Sequence, residues 1–197
     1  MYSVILDINA VSSGWLAMAV TLTRWTLDDY HRMIEAGLFV DRRVELLNGL
    51  VVEMAPEGPD HVDLSTDADE LFVEQARGRY RVRVAKPMSI AATGSEPEPD
   101  IALVKRKSYR QGHPEPADIY LIIEFSNTTL AKDTNEKRQA YAAAGIQDYW
   151  VANLKDKELI VYRQPVDGDY QIEQHLRQGT VTPLAFPDIA VAVESLI

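Results

Sequence analysis

Two carboxylates and a displaced lysine frame the chemistry this sequence could do. Asp100 follows Pro99 and opens the apolar segment IALV, and Glu124 ends the apolar run YLII. If those segments are neighbouring strands, both acids reach one point at the sheet's edge. Hard oxygen ligands of this kind suit Mg²⁺ or Mn²⁺. A divalent ion held there can polarise a phosphodiester and activate water. No basic residue follows Glu124 within the strand, and Ser126 stands two places on. A cation is nevertheless near. After a short loop the stretch DTNEKRQAYAAAG predicts a helix, with Lys137 in its first turns. Lysine is mildly disfavoured at the positive end of a helix dipole. Its ammonium could fold back to the carboxylates, and Tyr141 follows one turn later on the same face.

The elements that must hold these groups can be read along the chain. Thr26 with Asp29 predicts a helix start, and Gly37 its end. RVELLNGLVVEM predicts a hairpin turning at Asn48-Gly49. Its two-residue turn sets Glu45 opposite Val52, on a face shared with Leu47 and Leu50. A carboxylate on such a face is costly unless something pairs with it. APEGPDH reads as a loop, and a helix is expected from about His61 to Arg77, stopped by Gly78. RYRVRV alternates, which predicts a strand with Tyr80, Val82 and Val84 on one face and arginines on the other. IYLIIEF reads as a central strand buried on both faces. Asp133 is expected to cap the next helix, with Glu136 in the capping-box position and Gly145 as its stop. DYWVANL and ELIVYRQ predict strands about a turn at Lys155-Asp156-Lys157, YQIEQHLRQG predicts one more, and FPDIAVAVESLI closes the domain. This order implies an α/β (α+β) domain on one mixed sheet, without regular βαβ alternation or a glycine-rich phosphate loop.

Composition narrows the function. The chain has 197 residues, which suits a single domain over 21–197 with a sizeable core. Residues 1–20 read as an N-terminal extension, expected to be poorly ordered, with Met18 an alternative start. No apolar run is long enough for a membrane span, and the N-terminus lacks the basic region of a signal peptide. The absence of cysteine excludes disulfides, thiolate metal sites and a Cys nucleophile, and suits a cytoplasmic setting. The net charge of −10 argues against tight non-specific DNA binding by the monomer's global field. Local basic patches remain: Arg77, Arg79, Arg81, Arg83 and Lys86 in one stretch, Lys105-Arg106-Lys107 in another.

The set Pro99-Asp100, Glu124-Phe125-Ser126 and Lys137 resembles a PD-(D/E)xK nuclease whose lysine has moved from the strand to the next helix. More specifically, the chain resembles the Uma-type "putative restriction endonuclease" family. The resemblance is carried by RVELLNGLVVEM, His61 after a Pro/Gly loop, PDIALV, the stretch from Leu121 to Asn153, and the terminal FPDIAVAVESLI, and covers roughly residues 22–197. It implies a restriction-endonuclease-like core, a mixed central sheet flanked by helices. It implies hydrolysis of DNA phosphodiester bonds with Mg²⁺ or Mn²⁺. Asp100, Glu124 and Glu45 would form the acidic metal cluster, Glu45 as an auxiliary ligand or lysine partner. Lys137 would position the attacking water or offset developing charge. His61 matches a recurrent histidine with an auxiliary place in the site.

Each group also has an ordinary reading. Asp100 could start a strand, Glu124 could sit in a salt bridge, and Lys137 could be a solvated helix residue. Asp133 reads as a cap rather than a ligand, and Glu53 has no motif support. Pro187-Asp188 repeats the dipeptide with no Glu-bearing strand after it. Arg79 to Arg83 read as a solvated strand face that could contact phosphates if it lies beside the site. Two other functions compete: a non-catalytic nuclease-fold scaffold or DNA-associated module, and a metal-independent hydrolase using two carboxylates. A homodimer could assemble a basic groove that one subunit lacks.

Overall fold

The computed structural model describes residues 21–197; the expectations for 1–20 lie outside the described residues. Helix α1 (Leu27–Glu35) begins at the capping box, where the Thr26 side chain accepts from Asp29 N–H and the Asp29 carboxylate accepts from Thr26 N–H. β1 (Val44–Leu47) and β2 (Leu50–Glu53) form the hairpin with Glu45 opposite Val52. Gly49 is required at its turn for two reasons. Its φ is +74°, and a Cβ there would meet Arg24 Cβ at 2.9 Å. The hairpin docks on the segment that precedes Ile101 through Glu96 N–H to Leu46 O, 2.7 Å.

Helix α2 (Pro59–Ala76) starts two residues earlier than the sequence reading. Gly58 is its N-cap, Pro59 takes the first helical position, where its missing N–H costs nothing, and Asp60 favours the positive helix end. His61 therefore lies in the first turn rather than at the boundary. A six-stranded sheet follows in sequential order: β3 (Tyr80–Val84), β4 (Ile101–Lys105), β5 (Ile119–Ser126), β6 (Asp148–Asn153), β7 (Glu158–Val166) and β8 (Asp169–Leu176). All neighbours are antiparallel except β5 and β6, which are parallel. Parallel strands need a crossover. Here it is one continuous helical segment: α3 (Leu130–Lys132), a π turn (Asp133–Lys137) and α4 (Arg138–Ala143). Short strands β9 (Thr180–Val181) and β10 (Val191–Ala192) pair in the C-terminal part.

Alternation along the strands divides the core between the two sheet faces. Leu103, Ile123 and Trp150 pack with Phe72 of α2 and with Val191 and Leu196 of the tail. Ile122, Tyr149 and Tyr162 pack with Tyr141 of α4. The expected inner face of β3 holds for Tyr80 and Val82, but Val84 is exposed at the strand's end. Asp188 of the second Pro-Asp pairs with Arg79 at the surface, and Glu53 with Arg42. Among the described residues, no helix is long and apolar enough to cross a membrane.

Candidate active site

The β4–β5 register decides where the two carboxylates meet. Ile101 pairs with Ile123 and Ala102 with Ile122. One step outward, Asp100 therefore lies across from Glu124, and period-two alternation puts both on the face that the β5–β6 crossover covers. Asp100 Oδ2 accepts from Phe125 N–H at 2.7 Å and contacts His61 Nε2 at 3.0 Å. Glu124 Oε1 accepts from Lys137 Nζ at 2.8 Å and from the Tyr141 hydroxyl at 2.9 Å. Among the described residues no hydrogen bond reaches Asp100 Oδ1 or Glu124 Oε2. Each acid thus keeps one oxygen free.

Glu45 arrives from the hairpin, and the lysines account for its burial. Its Oε1 accepts from Lys132 Nζ at 2.8 Å. Its Oε2 accepts from Glu98 N–H at 3.2 Å and lies 3.6 Å from Lys137 Nζ. Burial pushes Glu45 up, but Lys137 and Lys132 outweigh it and hold the carboxyl below its ordinary range. In this arrangement Glu45 is the partner of two lysines.

Asp133 corrects the sequence reading. It does not cap the helix, which starts at Leu130; it lies buried within it. Its Oδ2 accepts from the Ser126 and Thr129 hydroxyls at 2.6 and 2.7 Å. Ser126, standing where a lysine was sought, thus ties the end of β5 to the helix. Asp133 Oδ1 is buried, has no hydrogen-bond partner among the described residues and lies 3.8 Å from Lys137 Nζ. Glu136 makes no capping box and is exposed.

Lys132 is the residue the sequence reading missed, and the π turn explains why. At about 100° per residue, an α-helix would point Lys132 and Lys137 about 140° apart. The wider i→i+5 winding of Asp133–Lys137 narrows this to roughly 50°. Both lysines then reach Glu45. No α-helical periodicity in the sequence could signal this.

The electrostatics follow from crowding. Burial pushes Glu124 up to about 8; Lys137 counters this, while Asp100, Asp133 and Glu45 add to it. Burial disfavours the Lys137 ammonium, but Glu124, Glu45, Asp133 and Asp100 overcome that and raise its pKa. The cluster therefore keeps Lys137 charged and disfavours the charged form of Glu124. Burial and then Glu124 raise Tyr141 well above its ordinary value, so it remains a hydrogen-bond donor. For His61, burial opposes protonation, but the Asp100 hydrogen bond and nearby acids prevail and raise the pKa. Its Nδ1 is buried and has no hydrogen-bond partner among the described residues. An open cleft runs over these groups. Its walls include Glu57, Glu98, Asp100, Glu124 and Asp133 against Lys132 and Lys137, with His61 at one side.

A mixed sheet with an acidic cleft at the C-terminal end of β5, where the crossover helix begins, defines a nuclease-like α/β fold. The chain belongs to the Uma2 family, whose description is "Putative restriction endonuclease" and which matches residues 27–194. Among solved structures, a "putative nuclease belonging to DUF820" from Anabaena variabilis superposes with a TM-score of 0.67 at 14% identity, covering 87% of this chain and 96% of that one. At that identity the likeness shows the fold alone. The type IIG restriction endonuclease BpuSI shares 15% identity over 63% of this chain and 14% of its own, at a TM-score of 0.39, which carries no argument. The curated proteins offer no match.

Proposed function

We infer that the protein is a metal-dependent endonuclease that hydrolyses DNA phosphodiester bonds at the cleft over Asp100 and Glu124. One observation carries this reading: two acids on adjoining strands each keep an oxygen free, while a buried lysine reaches back to one of them from the next helix.

The donor set fits a divalent cation. Carboxylates outnumber lysines on the cleft wall, and Glu124 is pushed up to about 8, as expected of a site short of positive charge. Asp100 Oδ1 and Glu124 Oε2 would hold Mg²⁺ or Mn²⁺, which when bound supplies Lewis-acid polarisation and an activated water. The chain's own residues do the positioning. Phe125 N–H and His61 fix the Asp100 carboxylate, as outer-shell donors fix metal ligands. Tyr141 and Lys137 fix Glu124 through its other oxygen. Lys137 also keeps an ammonium beside the place where phosphoryl charge develops, and Glu45 holds that lysine and Lys132 in place.

One observation favours the non-catalytic reading: among the described residues, no three His, Asp or Glu side chains stand close enough to hold a metal without moving. Cleavage of supercoiled plasmid and branched DNA with and without Mg²⁺ decides between them. Wild type is expected to cut only with the metal, and Asp100→Ala not at all. Equal cutting by both points to a contaminant. Absence of cutting on every substrate favours the scaffold.

A further inference from the structure

Positive charge in this acidic chain is concentrated at one place in the fold. Residues 77–86 hold Arg77, Arg79, Arg81, Arg83 and Lys86 with no Asp or Glu, and residues 105–110 hold Lys105, Arg106, Lys107 and Arg110, again with none. These two stretches contain nine of the chain's 20 lysines and arginines; the other 11 face all 30 acids. The antiparallel β3–β4 pairing brings them together, with Tyr80 opposite Lys105. Among the described residues, β3 is an outer strand of the sheet. Arg77, Arg81, Lys86, Lys105, Arg106 and Arg110 are exposed, and Arg83 is half-buried beside Tyr109. Two cations of the strip are already paired, Arg79 with Asp188 and Lys107 with Asp118.

Register ties this strip to the cleft. Arg81 pairs with Val104 and Arg83 with Ala102, so both share the sheet face of Asp100 and Glu124. At the other end, Ala85 N–H donates to Asp100 O, which sets Lys86 beside the cleft wall. Protection of an edge strand is the ordinary use of such charges. The opposite edge shows that this chain does not need one sign of charge for that purpose. On β8, Asp169 and Glu173 pair with Arg138, and His175 with Glu158.

We propose that the β3 edge, through Arg77, Arg81, Arg83, Lys86, Lys105 and Arg106, is the track on which the phosphate backbone of duplex DNA lies as it enters the cleft. The proposal rests on the nuclease reading above and adds the binding surface. Residues 77–86 span at most roughly 30 Å when extended, close to the ~34 Å of one duplex turn. Arginine forks suit phosphate oxygens, and the strip supplies local attraction that the protein's net charge of −10 denies it elsewhere.

The test separates binding from cutting. Anisotropy of a labelled 20-base-pair duplex is measured in EDTA from 50 to 200 mM salt, beside an RNA of equal length and vesicles with anionic lipid. Three proteins are compared: wild type, Arg81→Ala/Lys105→Ala/Arg106→Ala, and Arg32→Ala/Lys155→Ala/Arg177→Ala, which loses the same charge elsewhere. Metal-dependent plasmid cutting by wild type is followed separately. The strip variant is expected to bind duplex at least tenfold more weakly at 50 mM salt. Its log–log salt slope should be shallower by about 2–3, at roughly 0.9 per lost phosphate contact, with the control within about twofold of wild type. Equal losses in both variants overturn the proposal in favour of a global charge effect. Unchanged affinity with new self-association overturns it in favour of edge protection. Strip-dependent binding of RNA or vesicles without duplex overturns it in favour of another partner. Wild type that cuts plasmid without binding through the strip overturns the track and leaves the nuclease reading intact; wild type that neither binds nor cuts overturns both.

Discussion

Lys137→Met removes a buried cation in contact with three acids. Its Nζ lies 2.8 Å from Glu124, 3.6 Å from Glu45 and 3.8 Å from Asp133, and the side chain is 3% exposed. Methionine keeps the volume and deletes the charge. Breaking a buried pair on one side costs about 3–5 kcal/mol, because the remaining charges stay buried without compensation. Against the 5–15 kcal/mol typical of a folded domain, that is roughly a fifth or more of the total. In a chain of this size it lowers Tm by roughly 6–20 °C. Glu124→Gln should cost under about 1 kcal/mol at pH 7, since a carboxyl pushed up to about 8 is already mostly protonated there. The double variant should stay within about 1 kcal/mol of Lys137→Met, since a Glu124 that is mostly protonated carries little charge to strand and the loss falls on Glu45 and Asp133. Urea unfolding of the metal-free proteins measures all three. A loss below about 1 kcal/mol for Lys137→Met, or recovery of well over about 1 kcal/mol in the double variant, would refute the reading of an acidic cluster that Lys137 holds around a mostly protonated Glu124.

Further outcomes follow from the same geometry. Between pH 4.5, the ordinary value, and about 8, the folded chain retains a proton on Glu124 that the unfolded chain has released. This group's contribution to stability is therefore greatest below 4.5 and falls as pH rises through the window, by up to ~1.4 kcal/mol per unit. Denaturation of wild type and Glu124→Gln at pH 5, 6, 7 and 8 should show the difference between them shifting steadily in favour of the Gln variant. His61→Ala frees the Asp100 carboxylate from its 3.0 Å contact and is expected to raise the Mg²⁺ concentration for half-maximal cleavage about 10–100-fold, with a smaller change in the rate at saturating metal. Arg163→Ala strands Asp148, a fully buried acid that accepts from Arg163 Nε at 2.8 Å, and should cost about 3–5 kcal/mol in urea unfolding without altering metal affinity.

The legible parts of this protein are those written in local chemistry. Asn48-Gly49 demanded its turn, Thr26 with Asp29 their cap, and the run through Ile122 its buried strand, because each rests on neighbours a few residues away. The stretch from Leu121 to Asn153 made the family resemblance visible for the same reason. Asp100 and Glu124 could be named as candidates, since acids bordering apolar strands stand out against the pattern, and Lys137 through its place just after Glu124. Asp133 was misread because a capping residue and an internal acid look alike in sequence, and only the helix start at Leu130 separates them. Lys132 was invisible because the π turn that aims it leaves no mark in α-helical spacing. Which acid keeps a free oxygen, which one is spent on lysines, and that the arginines of β3 share a face with Asp100 are decisions of register and burial. Local patterning sets the elements and the acids that border them. The partners of those acids come from the packed fold, because charge pairing and desolvation depend on distances between residues such as Glu45 and Lys132, 87 positions apart in the chain.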